Sequence, residues 1–189
     1  MPFASFATAF WLAESIGYFT PKELMLYNFV MVFCMTVVFP FISVLILLRG
    51  KVISSIEMTK REERVLPFTM SLFYYGLTYF LLQKFPYDPP ILSMMLGAMV
   101  SLAICLLITT KWKISAHMVG LAGLVATLSA LMVLDGTIPL VALVLAILFL
   151  GVVASARLAL NSHTQLQVYT GILVGFVPVF VCVLWGVRV

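Results

Sequence analysis

The sequence predicts an all-α integral membrane protein: a six-transmembrane-helix bundle preceded by a short N-terminal interfacial helix. Composition gives the class. The chain is 63% hydrophobic and 10% charged, with mean hydropathy +1.18 at 21.0 kDa, and a soluble domain of that size cannot bury so much apolar surface. Run length gives the element: six apolar stretches approach the roughly 20 residues that a helix needs to cross a hydrocarbon core about 30 Å thick. The runs also lack strict alternation, which excludes the strands of about 10 residues and period 2 that build a membrane barrel. Residues 1–189 read as one domain with no internal repeat.

Taken in order, the first 23 residues are aromatic and mildly apolar, without a basic leading region and with Glu14 and Glu23 inside them. That pattern does not read as a cleaved signal peptide. It predicts a helix lying at the interface, with Trp11 and Tyr18 at headgroup depth. The spans follow at about 24–48, 65–83, 90–110, 117–134, 138–156 and 166–187. Cys34, Cys105 and Cys182 all fall inside spans without metal or disulfide spacing, so they read as small apolar packing residues and imply no metal. The methionines and phenylalanines read as lipid-facing or bundle-filling.

Six spans make the polar breaks alternate between two faces. Breaks 49–64, 111–116 and 157–165 share one face, while both termini and the breaks at 84–89 and 135–137 share the other. The first face holds Arg49, Lys51, Lys60, Arg61, Arg64, Lys111, Lys113 and Arg157, eight of the eleven basic residues, together with both histidines, His117 and His163. Either that face is cytoplasmic by the positive-inside rule, or part of it binds an anion. Lys60 and Arg64 stand four apart, the helical spacing that projects two side chains to one side. Arg157 ends a long apolar span, where a guanidinium is costly unless paired or snorkelling, and where a phosphate would match its fork of donors.

These residues carry a resemblance. A basic cluster, then Ser115-Ala116-His117, then Arg157 with five residues before His163, resembles the three ordered motifs of the type 2 phosphatidic acid phosphatase (PAP2) family of integral membrane lipid phosphatases: Lys-x6-Arg-Pro, Pro-Ser-Gly-His and Ser-Arg-x5-His-x3-Asp. The likeness runs from the first polar break through the sixth span. It departs from the family in that Arg64 precedes Pro67 by three residues, Ile114 and Ala116 replace the Pro and Gly, Ala156 replaces the Ser, and Gln167 stands where the family has Asp.

The resemblance implies a metal-independent lipid phosphatase without a cofactor. His163 would be the nucleophile that forms a phospho-histidine, and His117 would protonate the leaving oxygen, tasks that suit an imidazole near neutral pH. Gln167 would orient His163. Lys60, Arg64, Ser115, Ala116 and Arg157 would hold the phosphoryl oxygens and stabilise their charge. A site at headgroup depth implies membrane lipids as partners and a phosphorylated lipid as substrate, with the tails left in the bilayer; no nucleic acid is expected. Bacterial family members imply a cytoplasmic (inner) membrane location with the active face extracytoplasmic. The alternative reading is a weakened or non-catalytic lipid-binding relative, because Gln167 is neutral. A channel or carrier would need ionisable groups within the spans, and the charges cluster at span ends.

Overall fold

The computed structural model describes residues 2–12, 22–84, 89–136 and 138–186. Helix α1 is Pro2–Leu12. Helix α2 joins three pieces end to end: Lys22–Phe33, a π-helical turn over Cys34–Val38, and Phe39–Arg49. Then come α3 (Glu62–Leu82), α4 (Pro89–Thr109), α5 (Ala116–Asp135), α6 (Leu140–Ala159) and α7 (Gln165–Gly186). The last five, and α2 from Leu26, are long and apolar enough to cross a membrane, and among the described residues there is no strand. The chain is an all-α membrane bundle. Each span falls within a few residues of its predicted place, because only a helix satisfies its own backbone in lipid.

Helix α5 is the centre, packed most extensively against α7. Glycines set that contact. A Cβ on Gly175 would lie 2.1 Å from the Val119 carbonyl oxygen, and one on Gly171 would lie 2.8 Å from that of Ser115. On the other side of α7, a Cβ on Gly97 of α4 would lie 2.7 Å from Val179 Cα. In lipid no hydrophobic force drives helix against helix, so close backbone approach through small residues supplies the packing. Helix α6 is the opposite case: none of its side chains is buried, and Leu145, Phe149 and Val152 stand exposed.

Two features go beyond what the sequence predicts. Helix α1, expected at the interface, also packs against the bundle, which the sequence reading did not foresee. Phe6 and Ala9 are buried with Leu128, Leu131 and Met94, and Phe3 meets Phe29 and Phe33 edge-on. Phe3, Phe6 and Ala9 recur at helical spacing, and that apolar stripe seats α1 at the end of the bundle remote from the histidines. Trp11 remains 86% exposed, whereas Tyr18 lies outside the described residues. The second feature is the π-turn in α2. It precedes Pro40, which has no N–H and crowds the turn before it; the turn widens, and Thr36 Oγ1 donates to Val32 O at 2.8 Å. Lower in α2, Ser43 and Tyr74 of α3 share a 2.8 Å hydrogen bond.

Candidate functional site

Hydrogen bonds draw the three basic breaks together on one face. Arg64 Nε donates to Met58 O at 2.8 Å and its Nη1 to Ile114 O at 3.2 Å. Arg61 donates to Lys111 O. Ser115 N donates to Gln167 O at 3.4 Å, a contact that the bare Gly171 beside Ser115 makes room for. The joint between α6 and α7 is built from two end-signals in succession. Ser162 N donates to Arg157 O and Asn161 N to Leu158 O, with Asn161 at φ 50°; this is a Schellman stop with asparagine in the left-handed position. Thr164 N then donates to Gln167 Oε1 at 3.2 Å while Gln167 N donates to Thr164 Oγ1 at 3.4 Å, the reciprocal capping box that starts α7. So Arg157 occupies the last turn of α6, and His163 stands just before α7.

Both imidazoles have one engaged nitrogen. Arg157 Nη2 lies 2.7 Å from His117 Nε2; a guanidinium only donates, so Nε2 accepts. His163 Nδ1 lies 3.0 Å from Gln167 Oε1. Because the same oxygen accepts from Thr164 N–H, the amide orientation is set, and Nδ1 is the protonated nitrogen of His163. Its Nε2 then carries the lone pair.

The electrostatics are one-sided. Burial pushes the His163 imidazole down to about 4; the Gln167 hydrogen bond opposes the shift, and the positive charges of Arg64, Lys113 and Arg157 add to it. Burial, then Arg64, also holds the Lys113 ammonium below its usual range. Among the described residues, no carboxylate pairs with these cations. The one ion pair among the described residues joins Arg61 to Glu62 at 2.7 Å, and Glu63 accepts from Ser54 Oγ at 3.1 Å. Arg64 is only 9% exposed, and a buried cation bonded only to carbonyls keeps a strong demand for an anion. Ser115 Oγ is fully buried without a hydrogen-bond partner. Beside His163, a cavity of about 520 Å³ is lined by Lys113, Asn161, Ser162, Thr164 and Gln167.

Of the residues predicted for the site, the structure gathers His117, His163, Gln167, Arg64, Ser115 and Arg157, with Ala116 opening α5 between Ser115 and His117. Lys60 is not among them: it is exposed on the break before α3, its charge felt by Glu62. Lys113 lines the His163 cavity instead. The sequence places Lys113 among the basic residues of this face without marking it for the site; the signal for it is its position two residues before Ser115 in the same short break. Among the described residues, no group of three or more His, Cys, Asp or Glu is placed to hold a metal. The chain matches no family model, no curated protein and no solved structure.

Proposed function

We propose that this protein is a lipid phosphate phosphatase that works through a phospho-histidine and needs no metal. The observation that carries the reading is the cluster of Arg64, Lys113 and Arg157 around two imidazoles, with no carboxylate among them. Three cations without a counter-charge at a membrane surface fit a phosphoryl group, and the resemblance to PAP2 lipid phosphatases points the same way.

In this reading the phosphate binds between Arg64, Arg157 and Lys113, and Ser115 Oγ donates to one of its oxygens. Arg157 moves its fork from His117 Nε2 to the phosphoryl oxygens, which frees Nε2 to take a proton. His163 Nε2 attacks phosphorus in line, forming a P–N bond as the ester or anhydride P–O bond breaks. The leaving oxygen takes the proton from His117, and the cations stabilise the charge spread over the phosphoryl oxygens. Water, deprotonated by His117, then attacks phosphorus; the P–N bond breaks and inorganic phosphate leaves. Gln167 keeps His163 in the attacking tautomer, the task a carboxylate has in hydrolytic triads.

The test is phosphate release from a panel of lipid phosphates by the purified protein with a chelator present. His163→Ala and Arg157→Ala should each lower turnover by orders of magnitude, since each removes an interaction that counts in the transition state. Wild-type rates in both variants would overturn the assignment. One observation favours the alternative of a lipid-binding protein with little turnover: Gln167 is neutral and already serves as a helix cap. Phospholipid binding without phosphate release from any of the panel would establish that alternative.

A further inference from the structure

A cavity of about 210 Å³ lies inside the bundle, separate from the one beside His163, and α1 through α5 and α7 all contribute to its wall. Among the described residues that line it there is no charged side chain and no histidine. Hydroxyls mark it instead. Ser5 of α1, Ser71 and Tyr75 of α3, Ser101 of α4 and Thr127 of α5 converge on this one space. Two of them are occupied within their own helix, a common fate for a hydroxyl in a span: Ser71 Oγ donates to Pro67 O at 2.8 Å and Thr127 Oγ1 to Gly123 O at 3.0 Å. Ser101 is different. It is 3% exposed, and its Oγ is buried with no hydrogen-bond partner.

A buried hydroxyl without a partner is unfavourable, and so is an unfilled space, whose lining forfeits its contacts. An occupant of the right chemistry removes both penalties. Size comes first: an engineered apolar cavity of about 150 Å³ takes a benzene ring, so about 210 Å³ takes a ring with a short substituent. The wall agrees. Phe6, Phe68 and Tyr75 offer aromatic partners, and Met94 and Met95 offer thioethers, which pack favourably on rings. An ion would enter without a counter-charge. A plain hydrocarbon would leave the Ser101 hydroxyl as unpaired as before, while water would answer that hydroxyl and forfeit the ring and thioether contacts.

We propose that this cavity binds one small neutral aromatic molecule that carries a hydroxyl or carbonyl oxygen, such as an aryl alcohol or a phenol, with the oxygen at Ser101 Oγ and the ring against the apolar wall. The site is independent of the phosphatase reading. It shares no lining residue with the cavity beside His163, so its occupancy neither requires nor reports phosphate chemistry.

The experiment uses the full chain in phosphatidylcholine nanodiscs and a benzyl alcohol whose ring carries a trifluoromethyl diazirine. Irradiation should place adducts on cavity residues such as Tyr75, Met94 and Met95, and excess benzyl alcohol should suppress them about tenfold by mass action. Toluene, brought to the same concentration in the bilayer, should compete about fivefold less well, since it has no oxygen to answer Ser101. Ser101→Ala should erase that preference, so that benzyl alcohol competes no better than toluene. The same variant should melt, without ligand, at the wild-type temperature or above, because it removes a buried hydroxyl that has no partner. A lower melting temperature would show the hydroxyl to be bonded within the bundle and would overturn the proposal. Equal competition by toluene and benzyl alcohol in the wild type would overturn it too, making the cavity an apolar void. Adducts that do not saturate, or that lie only on lipid-facing positions such as Leu145, Phe149 and Leu173, would leave the cavity to water and remove the site.

Discussion

Gln167 has two jobs on one oxygen. Its Oε1 accepts from Thr164 N–H as a helix cap and from the His163 imidazole, and a carboxylate of the same reach would do both and add charge. Gln167→Glu should therefore preserve or raise turnover, by roughly tenfold for about 1–2 kcal/mol of charged over neutral hydrogen bonding. Gln167→Ala should lower it, but less than His163→Ala, and should cost about 1 kcal/mol of stability through the lost cap. Turnover and thermal melts of the three variants check this; a folded but inactive Gln167→Glu would mean that the amide nitrogen contacts substrate. The pH response of His163 follows from its depressed pKa of about 4. Between that value and the ordinary 6.5 of histidine, the unfolded chain binds a proton that the folded one refuses. The contribution of His163 to stability is thus complete above 6.5 and lost as pH falls toward 4. Melting temperature should drop across that window, and less steeply in His163→Gln. An equal slope in both proteins would show that the imidazole is not held neutral. Arg157, His163 and Gln167 were legible together because they lie within eleven consecutive residues, whereas the placement of His117, 40 residues before Arg157, on the same face followed from the alternation of the breaks. Lys113 was passed over as a site residue because its role depends on the approach of α7, which spacing does not report.

At the level of elements, the site depends on how closely α5 and α7 approach. Gly171 and Gly175 let the start of α7 lie against Ser115 and Val119, and that approach brings Gln167 O to Ser115 N. Gly175→Ala would drive a methyl into the Val119 carbonyl, with an expected cost of about 1–3 kcal/mol and a loss of turnover beyond what the melt alone explains. Gly151→Ala, whose added Cβ meets nothing within 4 Å, is the control and should change neither. The comparison is a melt in detergent together with phosphate release below the transition; a Gly175→Ala protein indistinguishable from wild type would show that the helices part without consequence. The six spans were legible because length and apolarity suffice to predict a helix that crosses lipid. The docking of α1 was not read, since its stripe of Phe3, Phe6 and Ala9 is short and lies in a segment apolar on most sides. The Schellman stop at Asn161 and the Thr164–Gln167 capping box were written in residue types at fixed offsets, and they explain why five residues separate Arg157 from His163.

For the whole molecule, the open question is which side the histidine face occupies, and two physical arguments pull apart. Eight of the eleven basic residues lie on that face, and the positive-inside rule counts such residues near span ends as a cytoplasmic signal. That rule applies to charges whose placement is free. Arg64, Lys113 and Arg157 are instead held around the imidazoles, so a requirement of the site accounts for their position on either side. Setting them aside leaves five against three, an excess too small to decide orientation, and Arg61, one of the five, is neutralised locally by Glu62. Under the proposed lipid phosphatase reading, the histidine face is predicted to lie outside the cell. Single cysteines introduced at Lys60 and at Lys84, on a background without Cys34, Cys105 and Cys182, test this directly. Both lysines are exposed and stand on opposite faces of the bundle. In intact cells an impermeant thiol reagent should modify Lys60→Cys and spare Lys84→Cys until the membrane is opened. Modification of Lys84→Cys with protection of Lys60→Cys would place the histidines in the cytoplasm, and the basic face would then owe its charge to topology as well as to phosphate.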